Sequence, residues 1–190
     1  ITISLESGSP TINKRVHRVI DWEKAKRIVA YVRKRKKIAT VNWMLGFPGE
    51  TMDEMNQTFK AAKDIRSTFA LFYLVSPYPG TKLWETAKEL DAMPIGSDDY
   101  SVGGIDSMIE LFLRRTNRGI INSKEWKTEQ VNNMMYEANI DINFLNCPGL
   151  ETEYERNFLM KRTKSVLKSI PEHIIGNILL GYLHREKKEY

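Results

Sequence analysis

Apolar positions follow two regimes along the chain. Up to about residue 90, short apolar runs alternate with stretches in which apolar residues recur every three or four positions. Beyond that, only the helical spacing remains. Residues 1–5 (Ile-Thr-Ile-Ser-Leu) read as a short strand. Ser9-Pro10 then supplies an N-cap followed by proline at the first helical position, predicting a short helix to about Arg18. Asp21 caps a second helix, with Trp22, Ala25, Ile28, Val29 and Val32 on its apolar face. Residues 38–45 predict a second strand. Thr51 and Glu54 spell a capping box for a helix with Met55, Phe59, Ala62 and Ile65 on one side. Residues 69–75 form a continuous apolar run, as expected of a strand buried on both faces. Thr81 caps a further helix to about Leu90. Strands alternating with helices predict a parallel α/β sheet of about three strands.

After Ala92 the pattern changes. Residues 93–104 read as a loop and residues 105–115 as helical. A long helix is predicted from Ser123 through Trp126, Val131, Met134, Met135, Ala138 and Ile142, ending at Pro148-Gly149. Helices over residues 151–169 and from Pro171 follow. The predicted organisation is an α/β unit (residues 1–92), a linker (93–122) and an α-helical extension (123–190). Helical spacing favours core positions for Trp126, Tyr136 and Tyr154.

Three strand ends carry the candidate chemistry: Leu5-Glu6-Ser7-Gly8-Ser9, Gly46-Phe47-Pro48-Gly49-Glu50-Thr51 and Pro77-Tyr78-Pro79-Gly80-Thr81. Parallel α/β sheets bind ligands beyond the carboxyl ends of their strands. Glu6 can accept hydrogen bonds from sugar hydroxyls, and Ser7 adds a hydroxyl. Pro48-Gly49 fits the centre of a type II turn, whose backbone N–H and C=O groups can read a base edge. Tyr78 offers a ring at the same end. Each segment alone is also an ordinary strand-to-helix turn. Their gathering on one rim points to a ligand.

Composition narrows the class. Of 190 residues, 42% are hydrophobic and 28% charged, which is globular and argues against disorder. No apolar run reaches bilayer length. The start has no basic segment and no cleavage site of a signal peptide. The single cysteine, Cys147, excludes an internal disulfide, and a reducing cytoplasm is the expected setting. A start at Ile1 rather than methionine suggests a segment of something longer. The net charge of +5 is concentrated at residues 33–37 and 185–188, predicted helix C-termini where cations complement the helix dipole. Nucleic acid is therefore not the expected partner. His17, His173 and His184 show no metal-ligand spacing, so surface or capping roles are expected and no metal ligand is assigned.

Glu-Ser-Gly-Ser, Gly-Phe-Pro-Gly-Glu-Thr and Pro-Tyr-Pro-Gly-Thr, in this order with these intervening helices, resemble the radical S-adenosylmethionine (SAM) superfamily. The resemblance covers residues 1 to about 90, and the middle motif is the most specific. It implies part of a parallel (β/α) partial barrel, entered at its fourth strand. It implies SAM and a [4Fe–4S] cluster as cofactors, the cluster being held by a CxxxCxxC loop that this sequence lacks and that would precede it. In such enzymes the cluster reduces SAM to methionine and a 5′-deoxyadenosyl radical. By this resemblance Glu6 and Ser7 face the ribose or methionine end, residues 46–50 hold adenine, and Tyr78 borders the substrate or the adenosyl group. No catalytic residue is assigned. Lys37 and Asn42 depart from glycines that the family often has at these places. A small-molecule substrate and a flavodoxin- or ferredoxin-like electron donor are implied for the intact parent, and the chain alone is expected to be inactive. The helical extension is similar to that of cobalamin-domain-bearing members, which implies cobalamin and a methyltransferase or cyclase-like reaction. The alternatives are a non-catalytic barrel remnant that binds or scaffolds, and an RNA-associated methylthiotransferase-like protein.

Overall fold

A computed structural model describes residues 1–93 and 123–187. Three strands, β1 (Thr2–Glu6), β2 (Thr40–Leu45) and β3 (Phe69–Leu74), pair in parallel in the order β1-β2-β3. Between them run α1 (Pro10–Arg15), α2 (Trp22–Lys34) and α3 (Met52–Ile65), and α4 (Lys82–Glu89) follows β3. The predicted caps start these helices. Ser9, Asp21, Thr51 and Thr81 each accept a backbone N–H of the first turn, and Thr51 and Glu54 close their capping box.

One face of the sheet is packed. Leu5, Val41, Trp43, Leu45, Ala70 and Phe72 join Val29 and Val32 of α2 and Met55, Phe59, Ala62 and Ile65 of α3 in one core. Trp22 stacks on Trp43, with ring centroids 6.3 Å apart. The other face is only partly covered: Ser4 and Tyr73 are exposed, and Asn42 and Leu71 half-buried. The expectation that the third strand is buried on both faces is therefore corrected. On its second face Leu71 is half-buried and Tyr73 exposed, while Phe69 packs edge-on against Phe158.

The extension does not form a core of its own throughout. It comprises α5 (Thr128–Ile140), a π-helical turn (Asp141–Leu145), a 3₁₀ turn (Pro148–Leu150), α6 (Glu153–Ser169) and α7 (Ile174–Glu186). Trp126, Val131, Ala138 and Ile142 belong to the sheet's core. Cys147, Leu159, Met160, Leu179 and Leu183 make a second cluster. At the free edge of β3, the Asn143 side chain stands in for a neighbouring strand. Its Oδ1 accepts from Ala70 N–H and its Nδ2 donates to Ala70 C=O, both at 2.8 Å.

Several boundaries differ from the expected ones. α1 ends at Arg15, because His17 takes a left-handed conformation (φ 55°) that breaks the helix before Arg18. Ser123 starts a turn, its Oγ accepting from Glu125 N–H, and Lys127 caps α5, so Trp126 lies outside the helix. His173, not Pro171, caps α7, with Nδ1 accepting from Gly176 N–H at 2.9 Å. Tyr136 and Tyr154 are exposed, against expectation: the buried face of α5 runs through Val131 and Ala138 and continues to Ile142 in the π-helical turn, and Tyr136 is rotated off it. The helix expected over residues 105–115, and the linker apart from Met93, lie outside the described residues.

The basic end of α2 was expected only to complement the helix dipole, but Arg33 turns inward. Its Nε lies 2.7 Å from Glu155 Oε1, and its Nη2 reaches Glu151 (2.9 Å) and the Pro148 carbonyl (2.7 Å). Thr68 and Thr152 also donate to Glu155, at 2.7 and 2.9 Å. This junction ties α6 to the amino ends of β2 and β3, opposite the rim of candidate turns.

Candidate cofactor-binding rim

At the carboxyl end of β1 the pairing register slips between Ser4 and Glu6, and Glu6 adopts φ 64°. A non-glycine residue in this region costs on the order of 1 kcal/mol, so the surroundings must enforce it. They do so through the next two residues. Ser7 is buried, its hydroxyl 3.1 Å from that of Thr58, and its carbonyl accepts from Asn13 Nδ2 at 2.6 Å. Gly8 presses on α3 so closely that a Cβ there would lie 2.4 Å from the Gln57 carbonyl oxygen. With the turn pinned inward, Glu6 is left pointing out of the bulge, paired with Arg18 at 2.7 Å.

At the end of β2, Glu50 N–H donates to the Phe47 carbonyl at 2.9 Å, and Gly49 has φ 68°. This is the type II turn that Pro48-Gly49 predicts. Glu50 then folds back. Its Oε2 accepts from Gly46 N–H (2.6 Å) and Phe47 N–H (3.0 Å), while Oε1 is buried without a partner. Burial pushes its carboxyl up to about 7, against the two backbone hydrogen bonds, which pull it down. The N–H groups that were expected to read a base edge are thus already used. Glu50 shapes the turn from inside and presents no oxygen to the rim.

Glu6 and Phe47 meet across a cavity of about 330 Å³. Met44, Val16 and Leu83 give it apolar walls, and Arg15, Arg18 and Lys82 line it with positive charge. Arg15 also donates to the Pro48 carbonyl at 2.5 Å. Of the residues expected at the site, Glu6 and Phe47 line the cavity. Gly46, Pro48, Gly49 and Glu50 build its turn. Ser7 points into the protein, away from the cavity. Tyr78 is 46% exposed and lies outside the cavity lining; its carbonyl accepts from the Thr81 hydroxyl at 2.7 Å. Sequence reasoning missed Arg15, Arg18 and Lys82. Arg18 is brought to the cavity by the His17 turn, which no proline, glycine or asparagine announces, and Lys82 by the start of α4.

Residues 1–62 match the family model of the Radical SAM superfamily. The match takes in β1, β2 and the helices that follow each of them, as far as Ala62 in α3. The chain is also 34% identical over 87 residues to a protein of Pyrococcus horikoshii described as an uncharacterized methyltransferase, covering 46% of this chain and 19% of that one. It is 32% identical over 82 residues to the tRNA-2-methylthio-N(6)-dimethylallyladenosine synthase of Yersinia enterocolitica, covering 42% of this chain and 17% of the relative, and equally to that of Yersinia pestis. The chain thus spans under a fifth of the length of these relatives. Three parallel strands in one sheet with their helices, followed by further helices, are consistent with part of a radical SAM α/β partial barrel.

The residues present fit one of the superfamily's two cofactors. An apolar hollow bordered by a carboxylate and guanidinium groups suits a nucleoside carrying a charged amino-acid tail. They do not fit an iron–sulfur cluster. Cys147 is the single thiol, buried beside Thr68 at the far end of the sheet, and burial pushes it up to about 11. Among the described residues no group of three or more potential metal ligands is assembled. None of their helices is long and apolar enough to cross a membrane.

Proposed function

We propose that the rim cavity is the SAM-binding wall of a radical SAM enzyme. The observation that carries this is the convergence of Glu6 and Phe47, from the ends of adjacent parallel strands, on one hollow. Phe47 and Met44 offer apolar surface to the adenosyl group. Glu6, aimed by its left-handed backbone, is placed to accept hydrogen bonds from ribose hydroxyls or the methionine ammonium, and Arg18 orients it. Bound SAM supplies hydrogen-atom abstraction chemistry in this superfamily; the residues here bind and orient it. Cluster, electron donor and substrate contacts belong to the intact parent.

The two kinds of relatives favour a methyl- or methylthio-transferring parent. The cobalamin-dependent reading rests on the helical character of the extension alone, and a non-catalytic remnant remains the contrasting reading. Calorimetric titration of the chain with SAM tests the proposal. Binding should weaken about tenfold in Glu6→Gln and in Phe47→Ala, each losing interactions worth about 1.4 kcal/mol, and stay unchanged in Tyr78→Ala. A chain that binds no SAM at millimolar concentration rejects it.

A further inference from the structure

We propose that Trp126 is a positioning residue of the rim, through which the extension holds the Gly46–Glu50 turn. Three observations converge on it. Its indole Nε1–H donates to the Glu50 carbonyl at 2.9 Å across 76 residues of sequence. Its ring covers Gly46: a Cβ at that glycine would lie 3.5 Å from it. It is 4% exposed and belongs to the sheet's core, although it precedes the helix it was expected to join.

Trp126 does not line the cavity, so its action is indirect. The indole fixes the Glu50 backbone. The Glu50 carboxylate fixes the Gly46 and Phe47 amides. Phe47 carries the ring that faces the cavity. Gly46 at φ 79° has no side chain to define its conformation, and the ring packed on it supplies that definition from outside. A buried indole N–H requires a partner, so the carbonyl and the ring reinforce one geometry. Segment 123–142 thereby serves the site rather than merely following it. The inference rests on the cofactor reading only for its consequence in binding.

The test compares Trp126→Phe, which keeps a ring and removes the N–H, with Val131→Ala, a truncation elsewhere in the same core. In full-length chain, amide exchange at Gly46 and Phe47 should quicken about fivefold in Trp126→Phe relative to the amides of β2, as loss of one hydrogen bond predicts. Val131→Ala should change turn and strand alike. SAM affinity should fall about fivefold in Trp126→Phe. Equal or absent changes at turn and strand overturn the proposal, as does a loosened turn with undiminished affinity. A wild-type chain that binds no SAM instead rejects the cofactor reading, and the exchange pattern then decides Trp126 by itself.

Discussion

Glu50 and Glu155 are both buried, and they sit at opposite ends of one sheet. At the carboxyl end, Glu50 accepts hydrogen bonds from backbone amides alone, keeps one oxygen without a partner, and has its carboxyl raised, chiefly by burial. At the amino end, burial acts on Glu155 in the same direction, but hydrogen bonds from Arg33, Thr68 and Thr152 overcome it and lower the pKa. The two carboxylates show what each end is built for. The amino end spends its charge on locking the extension to the sheet. The carboxyl end leaves strain at Glu6 and unsatisfied polar capacity at Glu50, as sites shaped for ligands often do.

The largest effect should come from breaking the lock. Glu155→Ala leaves the Arg33 guanidinium, with a side chain only 13% exposed, without its main partner. Loss of one member of a buried pair costs about 3–5 kcal/mol. Urea denaturation should show a loss of that size, with much of it recovered when Arg33→Met is added. A loss below about 1 kcal/mol would mean that the junction contributes no more than a surface ion pair, and the contrast between the ends would fail.

The two glutamates should also give pH dependences of opposite sign. The folded-state value of Glu50 is raised, from the ordinary 4.5 to about 7. Its contribution to stability is therefore full below pH 4.5 and is lost as pH rises towards 7. Glu155 is depressed, so its contribution is present above its ordinary value and lost as pH falls through the folded one. Stability measured between pH 4.5 and 7 should fall with rising pH by up to about 3 kcal/mol on account of Glu50, since one unit is worth about 1.4 kcal/mol. Glu50→Gln should remove that slope, and Glu155→Gln should remove the loss on the acid side. A slope unchanged by Glu50→Gln would assign it to another group.

Much of this division was legible in the sequence, and the reason is local chemistry. The caps at Ser9, Asp21, Thr51 and Thr81 and the Pro48-Gly49 turn are encoded within a few residues, so they place three strands, their helices and the rim. Long-range pairings have no such code. Arg33 looked like one cation of a helix-end run because its carboxylate partners lie more than 100 residues away. Trp126 looked like a helix-face residue because its partner, the Glu50 carbonyl, leaves no mark in the sequence. Ser7 and Tyr78 were grouped with the site because strand ends share a rim, yet the Ser7 hydroxyl is held inward by Thr58, and Tyr78 sits on an exposed turn outside the cavity lining.

The smallest stability effect should arise at the rim's own ion pair, and it is the most discriminating. Arg18 is 49% exposed, and Glu6 lies on the cavity wall beside it. A pair with so much solvent access contributes about 0–1 kcal/mol. Arg18→Ala should therefore shift the urea midpoint only slightly. SAM affinity should nevertheless drop about tenfold, because Glu6 loses the guanidinium that orients it in its left-handed bulge. That combination, little stability lost and much binding lost, is the inverse of what Glu155→Ala should show. If Arg18→Ala instead costs more than about 2 kcal/mol with affinity intact, the rim pair is structural like the junction, and the difference between the two ends disappears.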